Sequence, residues 1–479
     1  MKVEDLIKKI DPLDYTIASN DDLSFLTSDS RKVKQGSVFV AIEGYETDGH
    51  IYIDKAIEKG AGLIVHTKDI EKKEGISYAK VKNSRVAFAE ISNILSDNPS
   101  KKMTIVGVTG TNGKTTTSFL IYFLLKKLTG HCANIGTNGA YLDDDLIESS
   151  NTTPEIDEIN SILTDCLNKG IKNCVIEASS HALSLHRVDG IDFDYAVFTN
   201  LSTEHMDFHK TMENYFQAKM NLLDLAKKQV VNIDDDYGKR AKERFANAIT
   251  IGIENPSDYR AEEIERQDSI TRFKVSGVPF TYHRIATYDI YNALCAIAIV
   301  NDLGYSMEDI SKALETYKGI NSRFEFVEND LNRNIVIDFA HTPKAFENIY
   351  KAIPKNKKIY AVYGINGDRV REIREEVGKI SAKNDVFSVV TTDDPKFDTY
   401  ENIADDIVRG IESENGSYIR IKDRKQAMVY ALKNSKPGDY ILLLGKGQEN
   451  FMKLKGNEKT PYSEKETLKE AIEQVKTGL

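Results

Sequence analysis

From Gly107 to Thr116 the chain reads Gly-Val-Thr-Gly-Thr-Asn-Gly-Lys-Thr-Thr. The β-branched run MTIVGVTG (103–110) leads into it and the helical pattern TTTSFLIYFLLKKL (115–128), stopped by Gly130, leads out. Glycines at a strand-to-helix junction let backbone N–H groups close on phosphate oxygens, and the helix N-terminus adds a favourable field. Lys114 supplies a point charge, and a threonine hydroxyl such as that of Thr115 can hold Mg²⁺. The strict GxxxxGK-S/T pattern is not met, since Val108 stands five before Gly113, but GxxGK-S/T after a strand is. The chemistry this predicts is nucleotide phosphate binding.

A second group follows that loop. Glu177 ends the strand-like CVIEAS (174–179); Asn200, Glu204, His205, Asp207 and His209 follow YAVFTNL (195–201). Open α/β sheets bind ligands at the carboxyl ends of their strands, and oxygen and imidazole donors there can hold Mg²⁺ against phosphates. For any one of the histidines, a satisfied loop residue is the plainer reading. Lys219 sits in the apolar helical context FQAKMNLL, where a snorkelling lysine is the plainer reading. Arg187 and Arg323 can clamp a carboxylate or phosphate, or make ordinary ion pairs.

The elements that must position these residues alternate along 479 residues. SVFVAI (37–42), GLIVHT (62–67) and SYAKV (77–81) predict strands, with a helix over 53–59, as a small N-terminal α/β unit. NPSKK (98–102) is a turn-prone boundary. Helices are expected over 212–228 and 288–304, and a second boundary near 321–330. Beyond it, strand candidates at 334–340, 358–365, 386–393, 418–421 and 439–447 alternate with helical patterns, which implies a doubly wound parallel sheet. The expectation is α/β with three domains: 1–100, 101–327 with a phosphate loop and a mainly parallel sheet, and 328–479, Rossmann-like. The 64 basic and 74 acidic side chains give a net charge of −10, which argues against nonspecific nucleic-acid binding. The four cysteines show no CxxC spacing, so neither a zinc ribbon nor a disulfide scaffold is expected. No run approaches the ~20 apolar residues that span a bilayer. No signal peptide is read at the start, and a cytoplasmic, monomeric enzyme is expected.

TGTNGKTT, IEASSHAL, FTNLSTEHMDFH, FQAKMNLL, YNALCAIA, GINSRFE, VIDFAHTP, GDR and GKGQE occur in this order. That order resembles the Mur ligases, most closely their MurE branch, from DSR at 29–31 through GKGQE at 445–449. Folylpolyglutamate synthases share only the central motifs. The resemblance implies a UDP-binding domain, a central ATPase domain and a C-terminal amino-acid-binding domain. It implies ATP and Mg²⁺ as cofactors, and ATP contacts at Gly110, Thr111, Asn112, Gly113, Lys114, Thr115, Thr116, Asn292, Arg323, Asp338 and His341. Ser30, Asn151, Thr152, Thr153, Ser179 and Arg187 fall where UDP-MurNAc-L-Ala-D-Glu is held. Thr115, Glu177 and His205 match the metal positions, and Lys219 falls on a lysine that the family carbamylates to make an anionic metal ligand. Lys114, Lys219 and His205 form the implied catalytic set. The implied reaction makes an acyl phosphate on the D-glutamate carboxylate, which an incoming amine then attacks.

Several positions depart from the family pattern. Leu185 stands for a common glutamine, Phe339 for tyrosine, Gln448 for histidine, and ATYD precedes Asn292 instead of GxFN. The amino acid would meet Arg369, Asp393, Asp394, Lys396, Gly445 and Glu449. Diaminopimelate-adding relatives carry DNPR where this chain has Asp393-Asp394-Pro395-Lys396. Lysine offers only a point charge to a distal carboxylate, and Asp394 repels one. L-lysine is therefore the expected diamino acid, with meso-diaminopimelate or ornithine as the alternative. A catalytically silent nucleotide-binding regulator on the same scaffold is the remote competitor.

Overall fold

The computed structural model describes residues 1–44, 47–148, 151–267, 270–319, 324–447 and 449–477. Two compact units emerge: Met1–Glu265 with Arg272–Thr281 and Tyr291–Thr316, and Arg266–Thr271 with Tyr282–Ile290 and Tyr317–Leu479.

In the first unit an N-terminal five-stranded sheet runs in the order Asp14–Thr16, Ser77–Lys80, Ala61–His66, Ser37–Val40, Phe25–Thr27. The outer strand Asp14–Thr16 is antiparallel and the rest parallel. Three of these strands follow the sequence pattern. Asp14–Thr16 escaped it because all three of its residues are exposed and show no alternation.

The nine-stranded central sheet places Thr104–Thr109 between Asn173–Glu177 and Phe193–Phe198, all three parallel. Their carboxyl ends therefore emerge side by side, and the phosphate loop, Glu177 and the 199–209 segment share one edge of the sheet. Buried β-branched runs with no polar alternation make these interior strands. The helix Lys114–Thr129 begins directly after Gly113 and ends at Gly130, whose left-handed backbone lets its N–H return to Lys126 O. The helix Met212–Leu225, capped by the Thr211 hydroxyl, stops before the expected 228. The strand Ala226–Asn232 starts immediately instead, pairing with Phe193–Phe198 and burying Val230 and Val231. No glycine or proline marks that junction, so helical periodicity ran on past it.

In the second unit a six-stranded sheet runs Glu325–Val327, Asn334–Asp338, Tyr440–Leu444, Ile359–Tyr363, Val386–Val390, Tyr418–Arg420. Five strands are parallel and Glu325–Val327 is an antiparallel edge. One face is covered by the helices Pro343–Ala352, Arg371–Lys383 and Tyr400–Ser413, the other by Arg424–Asn434 and Glu464–Thr477. The expected fold class holds: α/β units, the last doubly wound. No helix among the described residues is long and apolar enough to cross a membrane.

Candidate functional site

The loop after Thr104–Thr109 is shaped by glycine and pinned from one side. A Cβ on Gly110 would stand 1.9 Å from Thr199 Oγ1, and one on Gly113 2.5 Å from Asn292 Oδ1; Gly113 also has φ +86°. Asn200 accepts from Asn112 N through its side chain and from Thr111 N through its carbonyl, while Thr199 Oγ1 donates to Asn112 O at 2.7 Å. Asn200 is thus a loop support, a role that its place among metal-type residues did not reveal. Lys114 Nζ donates to Gly110 O at 3.0 Å and Thr111 O at 2.9 Å. Thr115 and Thr116 open the helix. Thr117 Oγ1 donates to Asn292 Oδ1 at 3.1 Å, which brings the expected ATP contact Asn292 against the loop. Asn292 is placed in turn by its neighbour Tyr291, whose hydroxyl donates to Asp234 at 2.9 Å.

Lys219 is not a snorkelling residue. It is 1 % exposed, donates to Gly110 O at 2.7 Å and lies 4.5 Å from the Tyr215 ring centre. Burial, with Lys114 nearby, holds its amine well below the ordinary lysine range. Burial thus favours its uncharged amine, the form able to add CO₂.

Glu177 is fully buried and accepts from Thr115 Oγ1 at 2.9 Å, Thr137 N at 3.0 Å and Thr137 Oγ1 at 3.2 Å. A hydroxyl and a carboxylate at a helix N-terminus are hard oxygen donors. They suit Mg²⁺, which takes one or two protein carboxylates and fills its shell with water and phosphate oxygens. His205 adopts a left-handed backbone and its ring centre lies 4.8 Å from that of His181. His209 turns to Ser180 Oγ at 2.9 Å and packs on Tyr215; burial pushes it down to about 4. It is a satisfied histidine at the end of the short helix Met206–His209. Among the described residues no three His, Cys, Asp or Glu side chains converge as a ready-made metal cage.

From Glu177 a polar chain continues. Thr153 Oγ1 donates to Glu177 O at 2.7 Å and accepts from Ser179 N at 3.0 Å. Arg187 donates to Thr153 O at 3.2 Å and pairs with Glu155 at 2.8 Å. Thr152 Oγ1 meets Thr137 Oγ1 at 3.2 Å. The expected substrate contacts Thr152, Thr153, Ser179 and Arg187 thus form one network with the metal-type carboxylate. Asn151 is exposed beside it, whereas Ser30 is buried in the turn after Phe25–Thr27 in the N-terminal sheet.

In the second unit, loops from neighbouring parallel strands meet. Asp338 accepts from Ala340 N and Phe324 N, both at 2.7 Å, and His341 Nδ1 contacts Phe339 O. Arg323 lies outside the described residues. Gly445, at φ +106°, donates to Asp338 O, and a Cβ there would stand 2.3 Å from Asp393 Oδ2. Arg369 is half-buried in the loop after Ile359–Tyr363. Two of the expected amino-acid contacts have partners within the chain. Asp394 does not offer an open carboxylate: its Oδ1 accepts from Lys446 Nζ and Lys453 N, each at 2.9 Å. Lys396 is engaged by Asp368. Sequence reasoning missed Lys446, although it sits inside GKGQE. Burial pushes Asp393 up to about 6 against the opposing pull of Lys446 and Arg424.

Three family models match the chain: "Mur ligase family, catalytic domain" over residues 22–102, "Mur ligase middle domain" over 108–300, and "Mur ligase, glutamate ligase domain" over 322–447. The UDP-N-acetylmuramoyl-L-alanyl-D-glutamate--2,6-diaminopimelate ligase 1 of Clostridium acetobutylicum is 38% identical, over 95% of this chain and 96% of that protein. The corresponding ligase of Caldanaerobacter subterraneus is 36% identical over 98% and 99%. A solved structure of a UDP-N-acetylmuramoyl-L-alanyl-D-glutamate--2,6-diaminopimelate ligase superimposes with a TM-score of 0.69 at 25% identity, covering 94% and 95%. MurF ligase from Thermotoga maritima in complex with ADP shares the fold, with a TM-score of 0.62 at 22% identity over 95% and 98%.

Proposed function

The chain belongs to the Mur ligase family, and on that premise we propose that it joins a diamino acid, 2,6-diaminopimelate, to the D-glutamate of UDP-MurNAc-L-Ala-D-Glu. It is an ATP-dependent, amide-forming ligase that works with Mg²⁺. The observation that carries the substrate reading is the unbroken hydrogen-bonded path from the phosphate loop through Thr115 and Glu177 to Thr153, Ser179 and Arg187. In this reading the γ-phosphate would lie at one end of that path and the substrate carboxylate at the other.

In this reading the glutamate carboxylate attacks the γ-phosphorus of ATP and ADP leaves. The amino acid's amine then attacks the acyl carbon of the acyl phosphate, inorganic phosphate departs with the C–O bond electrons, and the amine's proton is lost. The loop N–H groups, the helix N-terminus and Lys114 stabilise charge on the transferring phosphoryl oxygens. Arg187 and the Ser179 hydroxyl orient the carboxylate, with Thr153 holding both in place, so that binding supplies the alignment the step needs. Thr115 and Glu177 would hold Mg²⁺, whose charge neutralises phosphate oxygens. Lys219, whose burial favours the uncharged amine, would add CO₂, lose a proton and become a carbamate anion beside the loop.

Support for diaminopimelate comes from relatives that match nearly end to end and carry that substrate in their names. The expectation of L-lysine leaned on Lys396 in place of an arginine and on the negative charge of Asp394, and Lys446 offsets that charge at 2.9 Å. L-lysine stays as the second reading because Lys396, engaged by Asp368, stands where a bidentate arginine would grip a distal carboxylate. Competition kinetics with UDP-MurNAc-L-Ala-D-Glu separate the two. The reading predicts a higher kcat/KM for meso-diaminopimelate; a higher value for L-lysine selects the second reading, and phosphate release with neither overturns both.

A further inference from the structure

The amino-acid loops of the second unit close around a buried cation. Lys446 Nζ is fully enclosed, 2.7 Å from Glu449 Oε2, 2.9 Å from Asp394 Oδ1 and 3.7 Å from Asp393 Oδ1. Burial alone would lower this ammonium, but Asp393, Glu449 and Asp394 together hold it above the ordinary lysine range, so it stays charged. The neighbouring buried cation, Arg424, is already neutralised by Glu464 at 2.6 Å. Three carboxylates therefore face one ammonium, and the cluster keeps a negative surplus. Lys446 also shares Asp394 Oδ1 with Lys453 N. That shared oxygen fixes the hairpin Phe451–Lys455/Glu458–Pro461 beside the Asp394–Lys396 segment, which exchanges backbone hydrogen bonds with Lys453 and Gly456. The missing side chain at Gly445 lets Asp393 Oδ2 approach the backbone, where a Cβ would stand 2.3 Å from it.

We propose that Lys446 is a specificity-determining residue of the amino-acid site: its tethered ammonium bridges Asp394 and Glu449, and leaves Asp393, 3.7 Å away, as the carboxylate that receives one free ammonium, the second amino group of a diamino acid. The inference rests on the amino-acid-site reading above. An incoming second ammonium gives Asp393 a counter-ion and reduces the negative surplus of the cluster. A monoamino acid leaves buried carboxylate charge uncompensated, which is strongly unfavourable. Asp393 faces Lys446, Arg424, Asp394 and Glu449, so the receptor forms as Asp393 ionises and is lost below pH 6.

The test is steady-state kinetics of wild type, Lys446→Met and Lys446→Arg with diaminopimelate and L-lysine, and with their monoamino counterparts 2-aminopimelate and L-norleucine. Truncating one partner of a buried charge cluster predicts a fall of about 10²-fold or more in kcat/KM for the diamino acid in Lys446→Met. The KM values for ATP and the UDP substrate stay near wild type, and Lys446→Arg recovers much of the loss. Removing a cation that favours ionised Asp393 also moves the acid limb of the amino-acid kcat/KM profile upward, by about one pH unit or more. A Lys446→Met enzyme within about threefold of wild type, an unmoved acid limb, or equal rises in all three KM values would overturn the inference. Should Lys446→Met not fold, the wild type alone decides. An acid limb near pH 6 with the diamino acids supports the role, and equal rates with the monoamino counterparts refute it. Failure of the wild type to ligate any diamino acid would instead refute the site reading itself.

Discussion

Gly113→Ala isolates what the phosphate loop demands of its backbone. Gly113 has φ +86°, and a left-handed conformation costs an alanine about 1–2 kcal/mol. The added Cβ would stand 2.5 Å from Asn292 Oδ1, so the Asn292 amide must shift and weaken its 3.1 Å bond from Thr117, worth about 1 kcal/mol. The two together predict a loss of roughly 2–3 kcal/mol of stability. Removing the clash partner separates them: in an Asn292→Ala background Gly113→Ala should cost only the backbone part, a coupling of about 1 kcal/mol. Urea denaturation of wild type, both single variants and the double variant gives the cycle, and ATP titration of the same proteins gives the binding cost. An equal cost of Gly113→Ala in both backgrounds, or a cost below about 0.5 kcal/mol in either, would refute the geometric reasoning.

Lys219→Ala should abolish ligation and be partly restored by short carboxylic acids that supply the missing anion; full activity without rescue sinks the carbamylation reading, as does absence of a carbamate carbon signal when wild type takes up ¹³C-bicarbonate. Because burial lowers the Lys219 amine, folding releases a proton. Lys219→Met in CO₂-free buffer should therefore raise stability near neutral pH, with the gain shrinking as pH climbs toward the unfolded value of about 10.4. Melting curves across pH 7 to 10 check this, and a gain that grows with pH contradicts it. Lys114→Ala should slow phosphate release by roughly 10²–10³-fold while leaving affinity for the UDP substrate near wild type, since losing one preorganised donor costs a few kcal/mol of barrier. Near-normal turnover would remove Lys114 from the phosphate site. Glu464→Gln, which strands the buried Arg424 guanidinium, should cost about 3–5 kcal/mol in denaturant titrations; a loss under 1 kcal/mol would mean that charge is compensated elsewhere.

Local signals carried far along this chain. The phosphate loop and the helix stop at Gly130 were legible because glycine marks a backbone demand that few other residues meet. Interior strands such as Tyr440–Leu444 were legible as unbroken apolar runs. The junction at Ala226 was not, since strand and helix there differ only in what Val230 and Val231 pack against. The short strand Ala133–Gly136 buries Asn134 and carries no apolar signature. At the site, motif order identified residues but not their partners. The Lys446–Asp394 pair spans 52 positions, and its effect on the free charge of the pocket is a property of the folded loops. Asn200 read as a possible metal donor because an amide that pins a loop and one that meets a ligand look alike in sequence.

The central claim is that ATP activates the glutamate carboxylate as an acyl phosphate. Isotope transfer tests it most directly. UDP-MurNAc-L-Ala-D-Glu labelled with ¹⁸O in the D-glutamate side-chain carboxylate is turned over with ATP and diaminopimelate, and the released phosphate is weighed by mass spectrometry. An acyl phosphate carries one carboxylate oxygen into each phosphate, so the account predicts one ¹⁸O in every phosphate released alongside amide product. Amide formed with unlabelled phosphate would contradict it.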